Sequence, residues 1–142
     1  MRVLISERKG ADHIREGRVT FEEAIRSGTV FMIVAPLEDS TRGLIDAPEF
    51  DAMDSTALII NVARGGIVVE EALVNALKER SIGGAACDAF DVEPATKENS
   101  ILLDPGIPNL VLSPHIAWYS SRTIKGTNAV VKGAKSVSSL EA

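Results

Sequence analysis

Three ionisable residues stand where short apolar runs give way to polar turns. Arg64 follows Ala57-Leu58-Ile59-Ile60-Asn61-Val62, Glu93 comes shortly after Ala85-Ala86-Cys87-Asp88, and His115 follows Leu110-Val111-Leu112. Imidazole titrates near neutral pH, so His115 is suited to proton transfer. A guanidinium is a planar fork of donors that can grip a carboxylate and a carbonyl together, which suits Arg64 to orienting an anion. A carboxylate beside an imidazole favours the protonated ring. Taken singly, each residue has an ordinary explanation. An arginine after a strand is usually a solvated turn residue, a Glu-Pro pair is usually a loop, and a histidine after proline is more often a turn residue than a catalyst.

The elements between these residues decide whether they meet. Val3-Leu4-Ile5 reads as a short buried strand, and Val30 to Ala35 as a second one ended by Pro36. Between them, Thr20 and Glu23 have the spacing of a capping box, Phe21, Ala24 and Ile25 form one apolar helix face, and Gly28 stops the helix. Asp46 is placed to cap a short helix with Pro48 in its first turn and Phe50 and Met53 turned inward. Ala57 to Val62 is a third strand. Val69, Ala72, Leu73, Ala76 and Leu77 then give the clearest helical stripe in the chain, with Glu70 and Glu71 at its start, Lys78 and Arg80 at its end, and Gly83-Gly84 to close it. Ala85 to Asp88 is a fourth strand, Asp91 to Pro108 a long polar loop, and Leu110 to Leu112 a fifth strand.

Strands that are apolar on both faces and alternate with helices predict an α/β fold, a parallel sheet with helices on both faces. Ligands of such sheets bind at the carboxyl ends of the strands. Glu7, Pro36, Asn61 to Arg64, Asp88 and His115 all fall at or just beyond those ends, so the polar residues gather along one edge. The domain is expected over residues 1–119. Residues 120–142 are expected to be a weakly ordered or helical tail, because Gly126 and Gly133 interrupt any helical pattern there.

Composition narrows the partners. The 142 residues are 45% hydrophobic and 25% charged, a soluble globular balance, and the net charge of -5 argues against nucleic acid or an anionic membrane as partner. The single cysteine, Cys87, allows no internal disulfide and fits a reducing compartment. It is expected to be a core residue, and His13 a solvated one. With no apolar run of membrane-spanning length and no signal peptide visible, a cytoplasmic location is expected.

Asn61-Val62-Ala63-Arg64-Gly65-Gly66, Asp88-Ala89-Phe90-Asp91-Val92-Glu93-Pro94 and Ser113-Pro114-His115-Ile116-Ala117-Trp118 resemble, in order, three consecutive signatures of the D-isomer-specific 2-hydroxyacid dehydrogenases. The resemblance runs from about Val3 to Trp118. The His-Ile-Ala-Trp form resembles most the glycerate dehydrogenase and hydroxypyruvate reductase branch. The resemblance implies hydride transfer between NAD and a small 2-hydroxy or 2-oxo acid. His115 would protonate the substrate oxygen, Glu93 would hold the imidazole protonated, and Arg64 would grip the substrate carboxylate and carbonyl. It also implies a nicotinamide site formed by Pro36, Leu37, Val62, Ala63, Arg64, Asp88, His115 and Ala117, with Asp88 on the carboxamide, and no metal. In dinucleotide folds an acid at the position of Glu7 bonds the adenosine ribose, which predicts NAD over NADP, although Arg8 beside it pulls the other way.

The glycine-rich phosphate turn of such folds should lie about 20 residues before the ribose acid, which would place it before Met1. Gly65-Gly66 is a weaker candidate anion site in a different turn. The resemblance therefore implies a partial Rossmann-like domain lacking its first strand, phosphate turn and substrate domain, with little activity by itself. Such a sheet must close up, leave its edges exposed, or be covered by a second copy or a partner chain. The other functional class that fits is a non-catalytic NAD-binding or interaction module derived from a dehydrogenase.

Overall fold

The computed structural model describes residues 2–120 and 122–124. It contains one four-stranded, wholly parallel sheet: β1 (Val30–Ile33), β2 (Leu58–Asn61), β3 (Gly84–Cys87) and β4 (Leu110–Leu112), lying side by side in sequence order. Helix α1 (Phe21–Ser27) precedes β1, α2 (Ala47–Ala52) joins β1 to β2, and α3 (Glu70–Lys78) joins β2 to β3. This is the α/β parallel sheet expected from the alternation of elements. Of the tail expected over 120–142, residues 121 and 125–142 lie outside the described residues.

The helices start where their caps require. The Thr20 side chain accepts from the backbone N–H of Glu23 and opens α1. At α2 the capping box is complete: the Asp46 side chain accepts from the Glu49 backbone and the Glu49 carboxylate from Asp46 N at 3.0 Å, and Asp46 Oδ1 also accepts from Ala47 N at 2.8 Å. Phe50 and Met53 point into the core as the pattern predicts. Helix α3 has no side-chain cap. Its entry is fixed by Val69 N donating to Ile45 O and by the Ile45–Val68 bridge. Its end differs from expectation, since Arg80 rather than a glycine takes the left-handed conformation (φ 59°). Gly83 and Gly84 serve the sheet instead: a Cβ on Gly83 would press on the Thr56 backbone.

Two other expectations are corrected. Val3-Leu4-Ile5 does not form a strand. Among the described residues a single bridge, Ser6 to Val19, is all that forms there, no strand of the sheet pairs with the segment, and Val3 and Ile5 are exposed. The sheet is also covered on one face, not two, among the described residues. Ile33, Ile59, Ala85 and Cys87 are buried against the helices, whereas Val30, Met32 and Val111 on the opposite face are 55%, 57% and 67% exposed. Crossovers that run in one direction along a sheet with one handedness put their helices on one side. The loop from Asp91 to Pro108 is more structured than its polarity implies. It holds a 3-10 turn (Ile101–Leu103) that buries Ser100 and Leu102 and packs on α3.

Candidate active site

At the carboxyl ends of β2, β3 and β4, buried polar side chains hold the turns that carry Arg64, Glu93 and His115. Asn61 ends β2. Its amide donates to Arg64 O at 2.9 Å and its Oδ1 accepts from Ala63 N at 3.1 Å, which folds the chain into a tight turn and turns Arg64 outward. The Arg64 guanidinium rests on the carbonyl of Ala63 through Nη1 at 2.7 Å, and the residue is exposed.

Asp88 follows β3 and is buried. Its carboxylate accepts from Ile116 N at 2.9 Å, from Ala117 N at 2.8 Å and from the Ser113 hydroxyl. Burial pushes its carboxyl up, but the Ser113 hydroxyl, the two backbone donors and the His115 charge outweigh burial and leave it below its ordinary value. Asp88 thus stays ionised and fixes the loop on both sides of His115. His115 itself has a left-handed backbone (φ 52°) and its carbonyl accepts from the Trp118 indole at 2.7 Å.

The loop after Asp88 brings Glu93 to His115. Nδ1 of His115 lies 2.8 Å and 2.7 Å from the two carboxylate oxygens of Glu93, with both side chains partly exposed. Burial raises the Glu93 carboxyl, but the His115 hydrogen bond, the Phe90 N–H at 3.1 Å, and the charges of His115 and Arg64 together hold it below the usual carboxylate value. An ionised carboxylate only accepts, so Nδ1 carries the proton and Nε2 is the ring nitrogen left for a ligand. The influence of Arg64 on Glu93 puts all three ionisable residues in one electrostatic neighbourhood. At the Arg64 turn lies an open cleft of about 640 Å³, lined by Val34, Ala35, Pro36, Leu37, Val62, Ala63 and Arg64. Its walls are mostly apolar, which suits the face of a flat heteroaromatic ring.

The other sequence candidates fall differently. Gly66 N donates to the Asp91 carboxylate at 2.5 Å, so the Gly65-Gly66 turn already holds its own anion. Gly65 is required by close approach, because a Cβ there would overlap the Phe90 carbonyl. Glu7 stands off the strand ends, in the segment that bridges to Val19. Its carboxylate accepts from Arg15 Nε at 2.7 Å, Arg15 Nη2 at 2.5 Å, and the backbone N–H groups of Arg8 and Arg15. Four donors fill the acceptor capacity of a carboxylate. Led by the Arg15 bond, they lower the Glu7 carboxyl to about 2. Neither Arg15 nor the network around Glu70 was signalled by the sequence, because both depend on pairings between distant turns. His13 is exposed, and Cys87 is buried with its thiol pushed up to about 12 by burial and by the nearby Glu70 charge.

Residues 1–117 match the family model "D-isomer specific 2-hydroxyacid dehydrogenase, NAD binding domain". The chain is 39% identical to glycerate dehydrogenase of Methylorubrum extorquens over 111 residues, which are 78% of this chain and 35% of that one. Among solved structures it is similar to an NADPH-dependent glyoxylate/hydroxypyruvate reductase of Sinorhizobium meliloti in complex with NADP and sulfate. That match has a TM-score of 0.70 and 26% identity, covering 90% of this chain and 42% of the other. It is also similar to the NAD-complexed D-isomer specific 2-hydroxyacid dehydrogenase of Lactobacillus delbrueckii ssp. bulgaricus, with a TM-score of 0.64 and 26% identity, covering 75% and 36%. The chain spans about two fifths or less of the length of the curated relatives it matches. No helix among the described residues is long and apolar enough to cross a membrane.

Proposed function

Because the chain belongs to the D-isomer specific 2-hydroxyacid dehydrogenase family, as its NAD-binding domain, we propose that it serves the reversible reduction of a small 2-oxo acid, with hydroxypyruvate and glyoxylate as the substrates to test first. The observation that carries this reading is the Glu93–His115 contact at 2.7 and 2.8 Å, supported by the apolar cleft that Arg64 lines. The similarity to a glycerate dehydrogenase and to a glyoxylate/hydroxypyruvate reductase supports the choice of substrates.

NADH, when bound, supplies the hydride that reaches the carbonyl carbon. This chain's residues do the rest. Pro36, Leu37, Val62 and Ala63, which line the cleft, would hold the nicotinamide side by shape, with Asp88 and Ala117 of the neighbouring strand ends the further candidates for its carboxamide side. Arg64 binds the substrate carboxylate and turns its carbonyl oxygen toward His115. Charge grows on that oxygen as the hydride arrives, and Nε2 of His115 delivers a proton to it. The ionised Glu93 accepts from Nδ1 and so keeps the proton on that nitrogen, leaving Nε2 to face the substrate oxygen. In the reverse direction the same nitrogen removes the hydroxyl proton. Glu7 would meet a ribose only by giving up Arg15.

The test is steady-state NADH oxidation with hydroxypyruvate and with glyoxylate, together with calorimetric titration of NADH. Turnover is expected to fall by about 10² or more in His115→Ala, the usual worth of a positioned general acid, with NADH binding retained. Turnover indifferent to His115→Ala would refute the assignment. Absence of both turnover and NADH binding at millimolar cofactor would favour a non-catalytic module.

A further inference from the structure

Glu93 sits on an excursion that leaves the sheet after Asp88 and returns to pack on α3 at Ser100. Its two feet are held by one side chain. The Glu70 carboxylate, buried at the first turn of α3, accepts from Asp91 N at 3.0 Å through Oε1 and from the Ser100 hydroxyl at 2.8 Å through Oε2. Asp91 passes the connection on, since its own carboxylate accepts from Gly66 N at 2.5 Å, two residues beyond Arg64. On the other side of Asp91, Phe90 N donates to Glu93 Oε1 at 3.1 Å, and the Phe90 carbonyl packs on the bare Cα of Gly65. A buried carboxylate is costly unless it is fully hydrogen-bonded, and helix α3 would place an alanine here at no cost in helical propensity. Thr96 and Asn99 close the excursion within itself, with Thr96 N donating to Asn99 Oδ1 at 2.7 Å and Ser100 N to Thr96 O at 3.0 Å. Polar attachments of the excursion to neighbouring turns run through Glu70 and Asp91, beside the Gly65 contact and the apolar packing of Phe90 and Ala95 on the core.

We propose that Glu70 is a positioning residue: by gripping Asp91 and Ser100, the feet of the loop that carries Glu93, it sets the Glu93 carboxylate against Nδ1 of His115 and in step with the Arg64 turn. This deepens the reading of Glu93 and His115 as a proton-donating pair and rests on it.

The full chain has only two histidines, His13 and His115, so nitrogen-15 NMR of the imidazoles reads the pair directly, and exposed His13 is an internal reference. A neutral imidazole whose Nδ1 donates to a carboxylate holds the Nδ1–H tautomer, whereas a solvated one does not. The expected wild-type spectrum therefore shows neutral His115 mainly as the Nδ1–H tautomer. Glu70→Ala is expected to lose that dominance at His115, with His13 unmoved. Glu71→Ala, an exposed change on the same helix, is expected to leave it intact. Glu70→Gln, which keeps an acceptor oxygen for Asp91 N, is expected to retain it. Should Glu70→Ala not fold, Ser100→Ala removes one of the two grips and is expected to weaken the Nδ1–H signal. A wild-type tautomer in folded Glu70→Ala or Ser100→Ala overturns the proposal, as does an equal loss in Glu71→Ala. Glu93→Ala, which removes the acceptor, separates the two levels: if it leaves the His115 tautomer unchanged, the pair itself fails, whatever Glu70 does.

Discussion

Glu7 and Arg15 show how much a single residue pair can hold that spacing does not announce. Glu7 was legible as an acid after an apolar run, but its partner lies in the next turn, and only the folded chain brings the fork of Arg15 around the carboxylate. The pH dependence follows from the direction of the shift. The Glu7 carboxyl falls from 4.5 to about 2, so its contribution to stability is fully present above 4.5 and is lost as pH falls through about 2. Glu7→Gln should therefore melt lower than wild type at pH 7. The gap should shrink below pH 4.5 and close near pH 2, followed by circular dichroism across that range. A gap that stays constant with pH would show that the pair contributes packing and not charge. Arg64, Glu93 and His115 were legible for a different reason. Each lies at a fixed offset from a strand end, and strand ends are what an apolar run followed by a polar turn reveals. Asn61 and Asp88, which aim Arg64 and His115, end the same runs. The contribution of Glu70 was hidden because a glutamate in the first turn of a helix already has a sufficient explanation in the helix dipole.

Among the elements, helix boundaries and strand existence were readable wherever local chemistry decides them. The capping boxes and apolar stripes are local, and α1, α2 and α3 start within a residue of where those signals lie. Val3-Leu4-Ile5 was misread because a strand is a pairing and not a property of three residues. With one bridge to Val19 and no ladder, β-branched side chains alone do not make one. The turn after Arg64 tests a contact of this non-local kind. Gly65 and Gly66 are adjacent, but they are glycines for different reasons. Gly66 has φ 76°, and the nearest heavy atom to an added Cβ is the flexible end of Arg42, so Gly66→Ala should cost about 1 kcal/mol of backbone strain. Gly65→Ala must push apart the Arg64 and Glu93 turns at the Phe90 backbone. Its cost should reach or exceed the roughly 1–3 kcal/mol of an overpacked site. Urea denaturation of the two variants checks the order. A Gly65→Ala chain as stable as Gly66→Ala would mean that the two turns part easily.

At the scale of the whole molecule, the sheet has two unlike faces, and the sequence concealed it. Val30, Met32, Leu58 and Val111 look as apolar as Ile33, Ile59 and Cys87, so both sets read as buried. Strand registry sorts them. Met32, Ile60, Ala86 and Val111 form one row across the sheet, and both ends of that row are more than half exposed. The neighbouring row turns Ile33, Asn61, Cys87 and Leu112 toward the helices. Which apolar row is covered depends on the direction in which successive crossovers travel, and composition carries no trace of that. The consequence is a steep asymmetry in tolerance. Ile59→Ala removes a side chain that is 1% exposed and packed under the helices, and should destabilise by about 2–5 kcal/mol. Met32→Lys, on the strand next to it, changes a more drastic chemistry at a site 57% exposed, and should cost within about 0.5 kcal/mol, as surface positions do. Chemical denaturation of both variants, with the midpoint and slope fitted together, decides the matter. A Met32→Lys variant that unfolds as readily as Ile59→Ala would mean that the second face is covered in solution, and that the row from Met32 to Val111 belongs to a core after all.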